Sequence, residues 1–101
     1  DGYNLNDVAS LDDPPGFLED ILLNAQKTFR AGVIHADLSE YNIVVQKDGV
    51  VLLIDWPQAV PTTHPNADDL LRRDVYNVLR YFERKYRLEE DLEETIAYVK
   101  A

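Results

Sequence analysis

Two short apolar runs, Ile43-Val44-Val45 and Val50-Val51-Leu52-Leu53-Ile54, lie on either side of Lys47-Asp48-Gly49. β-Branched residues fit a pleated surface, and Asp-Gly between two such runs is a strong reverse-turn signal. The pattern predicts an antiparallel hairpin. Such a hairpin brings the residue before its first strand next to the residue after its second, and these are Asn42 and Asp55. Two oxygen-bearing side chains distant in sequence thereby become neighbours.

The segment upstream of the hairpin is just as constrained. Val33-Ile34 is apolar and leads into the polar loop His35-Ala36-Asp37-Leu38-Ser39-Glu40-Tyr41-Asn42. Magnesium is a hard cation that prefers oxygen ligands. Asn42 and Asp55 supply an amide and a carboxylate for Mg²⁺ or Mn²⁺, while Asp37 is placed to orient an attacking hydroxyl without binding the metal first. Any one of these residues alone would read as a turn or cap. The set, with apolar strands between its members, points to phosphoryl-transfer chemistry. His35, beside an apolar strand, reads as a hydrogen-bonded loop brace, and His64 as structural or exposed; their spacing does not suit zinc.

Around this centre the pattern is helical. Phe17, Leu18, Ile21, Leu22, Ala25 and Phe29 predict an amphipathic helix over 15–31, opened by Pro14-Pro15 and stopped by Gly32. Residues 1–13 read as irregular, and 56–66, with Pro57, Pro61 and Pro65, as a loop. Asn66 can cap a long helix running to about residue 86, with Leu71, Val75, Val78, Leu79 and Phe82 inward. A last helix is expected over 89–100, with Leu92, Ile96 and Val99 inward. Trp56, Tyr41, Phe82 and Tyr86 read as packing residues. The fold class is α+β, in one domain.

Composition excludes several classes. No apolar run approaches a membrane span, so no membrane partner is expected, and without Cys there is neither a disulfide framework nor a thiolate metal site. The absence of Cys and the polar start Asp1-Gly2-Tyr3-Asn4 fit a cytoplasmic location. A net charge of −9 argues for weak or no direct nucleic-acid binding. The cations are uneven: Arg72, Arg73, Arg80, Arg84, Lys85 and Arg87 share one stretch that reads as a solvated helix face, whereas residues 1–26 carry no Lys or Arg.

From about Pro15 to Tyr86 the chain resembles the RIO family of atypical protein kinases, most specifically in HADLSEYNIVV (35–45), LIDWPQAV (53–60) and HPNADDLLRRDVYNVLRYF (64–82). Asp55-Trp56-Pro57-Gln58 looks like the subfamily with an N-terminal winged-helix domain. The resemblance implies a mostly helical, protein-kinase-like C-terminal lobe in which a small hairpin carries the metal site. Asp37 would be the catalytic-loop Asp, Asn42 and Asp55 the metal ligands, and Val44 and Ile54 the floor of an adenine pocket. Asp74 would hold the catalytic-loop backbone, with His35 as a second support, and Asp55 would be a candidate phospho-acceptor. The implied cofactors are ATP and Mg²⁺. The implied role is ATP-dependent serine/threonine phosphorylation or ATP hydrolysis in maturation of the pre-ribosomal small subunit.

Departures from the family pattern refine this picture. Ala36 stands where the family usually has Gly and a typical protein kinase has Arg, and no Ala-Pro-Glu signature follows the short 56–66 segment. Control by activation-loop phosphorylation is therefore not expected. The glycines at 2, 16, 32 and 49 form no phosphate loop, and no strand-borne Lys precedes Asp37. With no Met either, the chain reads as a piece of a longer protein, the N-terminal lobe and winged-helix domain lying outside it, and the piece alone as inactive or nearly so. Two alternatives carry weight. Trp56 also suits an aminoglycoside- or choline-type small-molecule phosphotransferase, and the arginine-rich helix suits a noncatalytic ribosome-docking module.

Overall fold

In a computed structural model, which describes residues 2–101, three helices and five short strands follow one another along the chain. The order is β1 (Gly2–Asn4), a 3-10 turn (Leu5–Asp7), α1 (Pro14–Arg30), β2 (Val33–Ile34), β3 (Ile43–Gln46), β4 (Val51–Leu53), β5 (Val60–Pro61), α2 (Ala67–Tyr86) and α3 (Leu92–Lys100). The architecture is α+β, with three helices and two small antiparallel sheets, ordered β1-β3-β4 and β2-β5.

The hairpin forms, with Ile43 opposite Leu53 and Val45 opposite Val51, so that Asn42 lies level with Ile54, one residue before Asp55. Gly49 turns the chain at φ +88°, a conformation that only glycine adopts without strain, and Asp48 accepts the Val50 N–H at 3.0 Å. Ile43, Val45 and Val51 face the core while Val44 is only partly buried and Leu52 is exposed, so the hairpin has an inner and an outer face. The core itself gathers Phe82, Val75 and Val78 of α2 with Ile21, Ile34, Ile43 and Val99.

Helix α1 starts with the Asp13 carboxylate accepting the Gly16 N–H, with prolines at its first two positions, and ends before Gly32 at φ +89°. Helix α2 spans the expected residues. Asn66 occupies its N-cap position without a side-chain cap bond, and the helix ends at Arg87 in a left-handed conformation. Helix α3 begins at Leu92, three residues later than expected, because Asp91 caps it through the Glu94 N–H at 2.9 Å.

Two segments read as irregular contain structure. Gly2–Asn4 pairs with Val44–Gln46, and Val60–Pro61 pairs with β2. Neither has a period of its own; each is a strand because a neighbouring edge offers its backbone groups. The N-terminal segment is also tied to α2. The Tyr86 hydroxyl accepts the Leu11 N–H at 3.0 Å, and Lys85 Nζ donates to the Val8 carbonyl at 2.6 Å.

Candidate functional site

The loop between β2 and β3 is fixed by a closed ring of four hydrogen bonds. The Asp37 N–H donates to His35 Nδ1 at 3.2 Å, and His35 Nε2 reaches the Ile54 carbonyl at 2.6 Å. The Ile54 N–H donates to the Asn42 carbonyl at 2.9 Å, and Asn42 Nδ2 returns to the Asp37 carbonyl at 2.5 Å. Because Nδ1 accepts, the imidazole proton lies on Nε2 and is donated to Ile54. His35 is 3% exposed and lies 4.6 Å, centroid to centroid, from the Trp56 ring. Its two ring nitrogens thus bond the loop on one side and the end of the hairpin on the other.

The ring determines what the site offers. Asn42 is 8% exposed and uses its amide nitrogen on Asp37, which leaves Oδ1 as its outward-facing acceptor. Asp55 follows Ile54 directly and has φ +59°, a left-handed conformation unusual for a residue with a side chain. Strain of this kind persists where surrounding bonds over-determine the backbone, as the paired Ile54 does here. Asp37 and Asp55 are both exposed, and among the described residues no hydrogen bond or ion pair engages either carboxylate. Asp37 and Asn42 are members of the ring, and Asp55 follows its member Ile54 directly.

This donor set fits a hard cation. Asn42 and Asp55 offer one amide oxygen and one carboxylate, and no group of three His, Cys, Asp or Glu residues able to hold a metal by itself is found among the described residues. Magnesium characteristically takes one or two carboxylates and completes its shell with water and substrate phosphate. Val44 and Ile54 are partly buried on the outer face of the hairpin, above the inward-facing Ile43 and Val45.

Asp74 secures the same loop from below. Its Oδ2 accepts the Ala36 N–H at 2.7 Å and its Oδ1 the Leu38 N–H at 3.0 Å, with the residue 3% exposed. Burial pushes this carboxyl above the ordinary value; the two backbone donors, His35 and Arg73 pull it back down. Ala36 has φ +70°, which costs an L-residue strain that glycine escapes. That accounts for a glycine preference at this position and shows that Asp74 holds alanine there nonetheless.

Two contributors were not singled out from the sequence. Arg73 donates to the Ala36 carbonyl at 2.6 Å, and Asn77 donates to the Leu38 carbonyl at 3.3 Å. Residues 73, 74 and 77 share one face of α2, so the signal was helical spacing from Asp74. Arg73 was hidden in the run of cations read as a solvated face.

Comparison with known proteins follows the same lines. The RIO domain family model matches residues 1–95. The RIO-type serine/threonine-protein kinase Rio2 of Methanocaldococcus jannaschii is 46% identical over 71 residues, covering 70% of this chain and 26% of that protein. The serine/threonine-protein kinase rio2 of Schizosaccharomyces pombe is 37% identical over 92 residues, covering 91% of this chain and 27% of that protein. A crystal structure of the Rio2 kinase of Chaetomium thermophilum, as an ADP/Mg²⁺–phosphoaspartate complex, superposes with a TM-score of 0.82 at 26% identity, over 100% of this chain and 34% of that one. The chain therefore spans about a quarter of the length of these two relatives and a third of the solved structure.

Proposed function

The chain belongs to the RIO domain family, and from that premise we propose that it is the C-terminal, catalytic-loop lobe of a RIO-type serine/threonine protein kinase or ATPase. The observation that supports the reading is the closed ring through Asp37, His35, Ile54 and Asn42, which ties the backbone of the loop bearing Asp37 and Asn42 to the residue before Asp55. Asp55-Trp56-Pro57-Gln58 and the Rio2 relatives support the winged-helix subfamily.

In this reading Asp37 accepts the proton of the attacking hydroxyl or water and aligns it with the terminal phosphate. Its backbone is locked on both sides, through its N–H to His35 and its carbonyl to Asn42. Asn42 Oδ1 and the Asp55 carboxylate would hold a divalent cation, which would neutralise charge on the nucleotide phosphates. Val44 and Ile54 would supply an apolar floor for the adenine. Positioning and electrostatics supply nearly all of phosphoryl-transfer catalysis. His35 and Asp74 therefore act by keeping the loop in one shape.

The solved Rio2 neighbour contains ADP, Mg²⁺ and phosphoaspartate. That supports ATP and magnesium as the cofactors here and Asp55 as the candidate acceptor of a phosphoryl group. The family likeness also supports a role in small-subunit maturation in the cytoplasm, exercised by a longer protein. Among the described residues no helix is long and apolar enough to cross a membrane.

The test is Asp55→Ala in the full-length protein. Mg²⁺-dependent ATP turnover should fall by at least about a hundredfold, the scale expected when a group stabilising transferring charge is removed. Asp37→Ala should reduce turnover while leaving nucleotide binding measurable by calorimetry. Undiminished turnover in Asp55→Ala refutes the metal assignment.

A further inference from the structure

Ser39, Glu40 and Tyr41, the middle of the catalytic loop, edge a cleft of about 680 Å³ that, of the residues assigned to the site, only the supporting Asn77 lines. Its opposite wall is the C-terminal half of α2, where Arg80, Arg84 and Lys85 meet. Arg80 and Arg84 are one helical turn apart and share a face.

These arginines differ from the others on the helix. Arg72 pairs with Glu93 at 2.5 Å and Arg73 bonds the Ala36 carbonyl. Among the described residues, Arg80 and Arg84 have no ion-pair partner. Lys85 is committed to the Val8 carbonyl and lies 5.6 Å from the centre of the Tyr81 ring. The hollow on the other side of the same two arginines, about 800 Å³, also contains Glu83, Glu89 and Glu90, three acids that match its three arginines. The cleft beside the catalytic loop sets Glu40 alone against three cations. In a chain of net charge −9 this is a local reversal of sign. At its rim Tyr41 is 59% exposed and bonded to nothing through its ring or hydroxyl among the described residues.

The position gives the charge a use. Tyr41 immediately precedes Asn42, whose amide bonds the Asp37 carbonyl. Residues 39–41 at the edge of the cleft follow Asp37 by two to four positions in the same loop. We infer that this cleft is a specificity subsite for an acidic segment of the protein substrate, in which Arg80 and Arg84 bind a Glu or Asp side chain a few residues from the hydroxyl presented to Asp37, and Tyr41 packs against the peptide. The inference rests on the phosphoryl-transfer reading above and adds its substrate class. It also supplies an alternative to the activation segment, since residues 56–66 are too short to form a conventional peptide platform.

An RNA strand is the competing occupant. Strong backbone binding to nucleic acid draws on about 6–10 phosphate contacts, and a net negative field opposes a polyanion. Two unpaired guanidinium groups match one or two carboxylates far better than a strand of phosphates.

The experiment measures binding by fluorescence anisotropy to the full-length protein. The probes are three labelled peptides, each with a single Ser flanked by Glu, Gln or Lys, and a short single-stranded RNA. The Glu peptide should bind at least about tenfold more tightly than the Gln peptide, in keeping with a charge-assisted guanidinium–carboxylate contact, with the Lys peptide weakest. In the doubly substituted Arg80→Glu, Arg84→Glu protein the order of the Glu and Lys peptides should reverse, a result that loss of folding cannot mimic. Equal binding of the Glu and Gln peptides by the wild-type protein overturns the inference, as does an unchanged order in the charge-swapped protein. RNA binding that is tighter than the Glu peptide and is lost in the same variant also overturns it. ATP turnover without peptide, read separately, distinguishes the two proposals. Turnover without acidic preference defeats the subsite alone; acidic preference without turnover defeats the phosphoryl-transfer reading alone.

Discussion

The underside of the 35–42 loop and the junction of α2 with α3 are both joined by charged groups, but in opposite settings. Below the loop, Asp74 is almost wholly buried and accepts the Ala36 and Leu38 N–H groups. Between the helices, Arg72–Glu93 and Lys100–Asp68 make short ion pairs on the exposed surface. The surface pairs are bidentate or close, and they look the stronger on a contact list. They are screened by water and salt, and ordering their long side chains costs entropy. The buried carboxylate has no such competition, and removing it leaves two backbone donors with no alternative partner. Location rather than contact length decides which interaction shapes the molecule. In this fold the decisive one lies directly beneath the candidate active site.

Breaking the buried side should have the largest effect. Asp74→Ala should lower unfolding stability by about 3 kcal/mol, the scale of leaving two buried N–H groups unpaired, as read by urea denaturation of the chain. It should also release Ala36 from its left-handed backbone. A loss no greater than that of an exposed acid would show that water replaces the carboxylate and would dissolve the contrast.

A pH titration sharpens the comparison, because the two regions should respond with opposite sign. The Asp74 value is raised above its ordinary 3.8, chiefly by burial, so between 3.8 and its folded value the folded state holds the proton more tightly. Stability contributed by this group rises as the pH falls through that window. Asp68 is lowered from 3.8, first by its hydrogen bond to Lys100 and then by the lysine charge. Its contribution is present above 3.8 and is lost as the pH falls through its lowered folded value. Wild type measured against Asp74→Asn should gain on acidification toward 3.8, and wild type against Asp68→Asn should lose below it. The same sign in both comparisons would contradict the burial argument.

The smallest effect is expected at the surface. Arg72→Ala with Glu93→Ala should leave the urea midpoint unchanged within error, since α3 is also held by buried Ile96 and Val99 and by Gln26, which bonds the Tyr98 carbonyl at 2.8 Å. A clear drop in the midpoint would mean that the pair docks α3.

The hairpin and the three helices were legible because each rests on local periodicity or turn chemistry. Ile43–Val45, Asp48-Gly49 and the apolar stripe of α2 encode their own conformations. Asp91 was passed over as a cap because the acids before it, Glu89 and Glu90, suit a first turn equally well. β1 and β5 escaped because a strand of two or three residues has no period and exists only through the edge it joins.

By itself, then, the sequence determined which oxygen-bearing residues flank the hairpin, where the main helices run and which family the pattern resembles. All of these depend on residues close together in the chain or on their type. Only the tertiary structure decided which nitrogen of His35 carries its proton, which way the Asn42 amide faces, that Arg73 and Asn77 serve the loop, and that Arg80 and Arg84 border a cleft without acidic partners. Each of these depends on a donor and an acceptor meeting across more distant segments, and the choice of partner is made when the core closes.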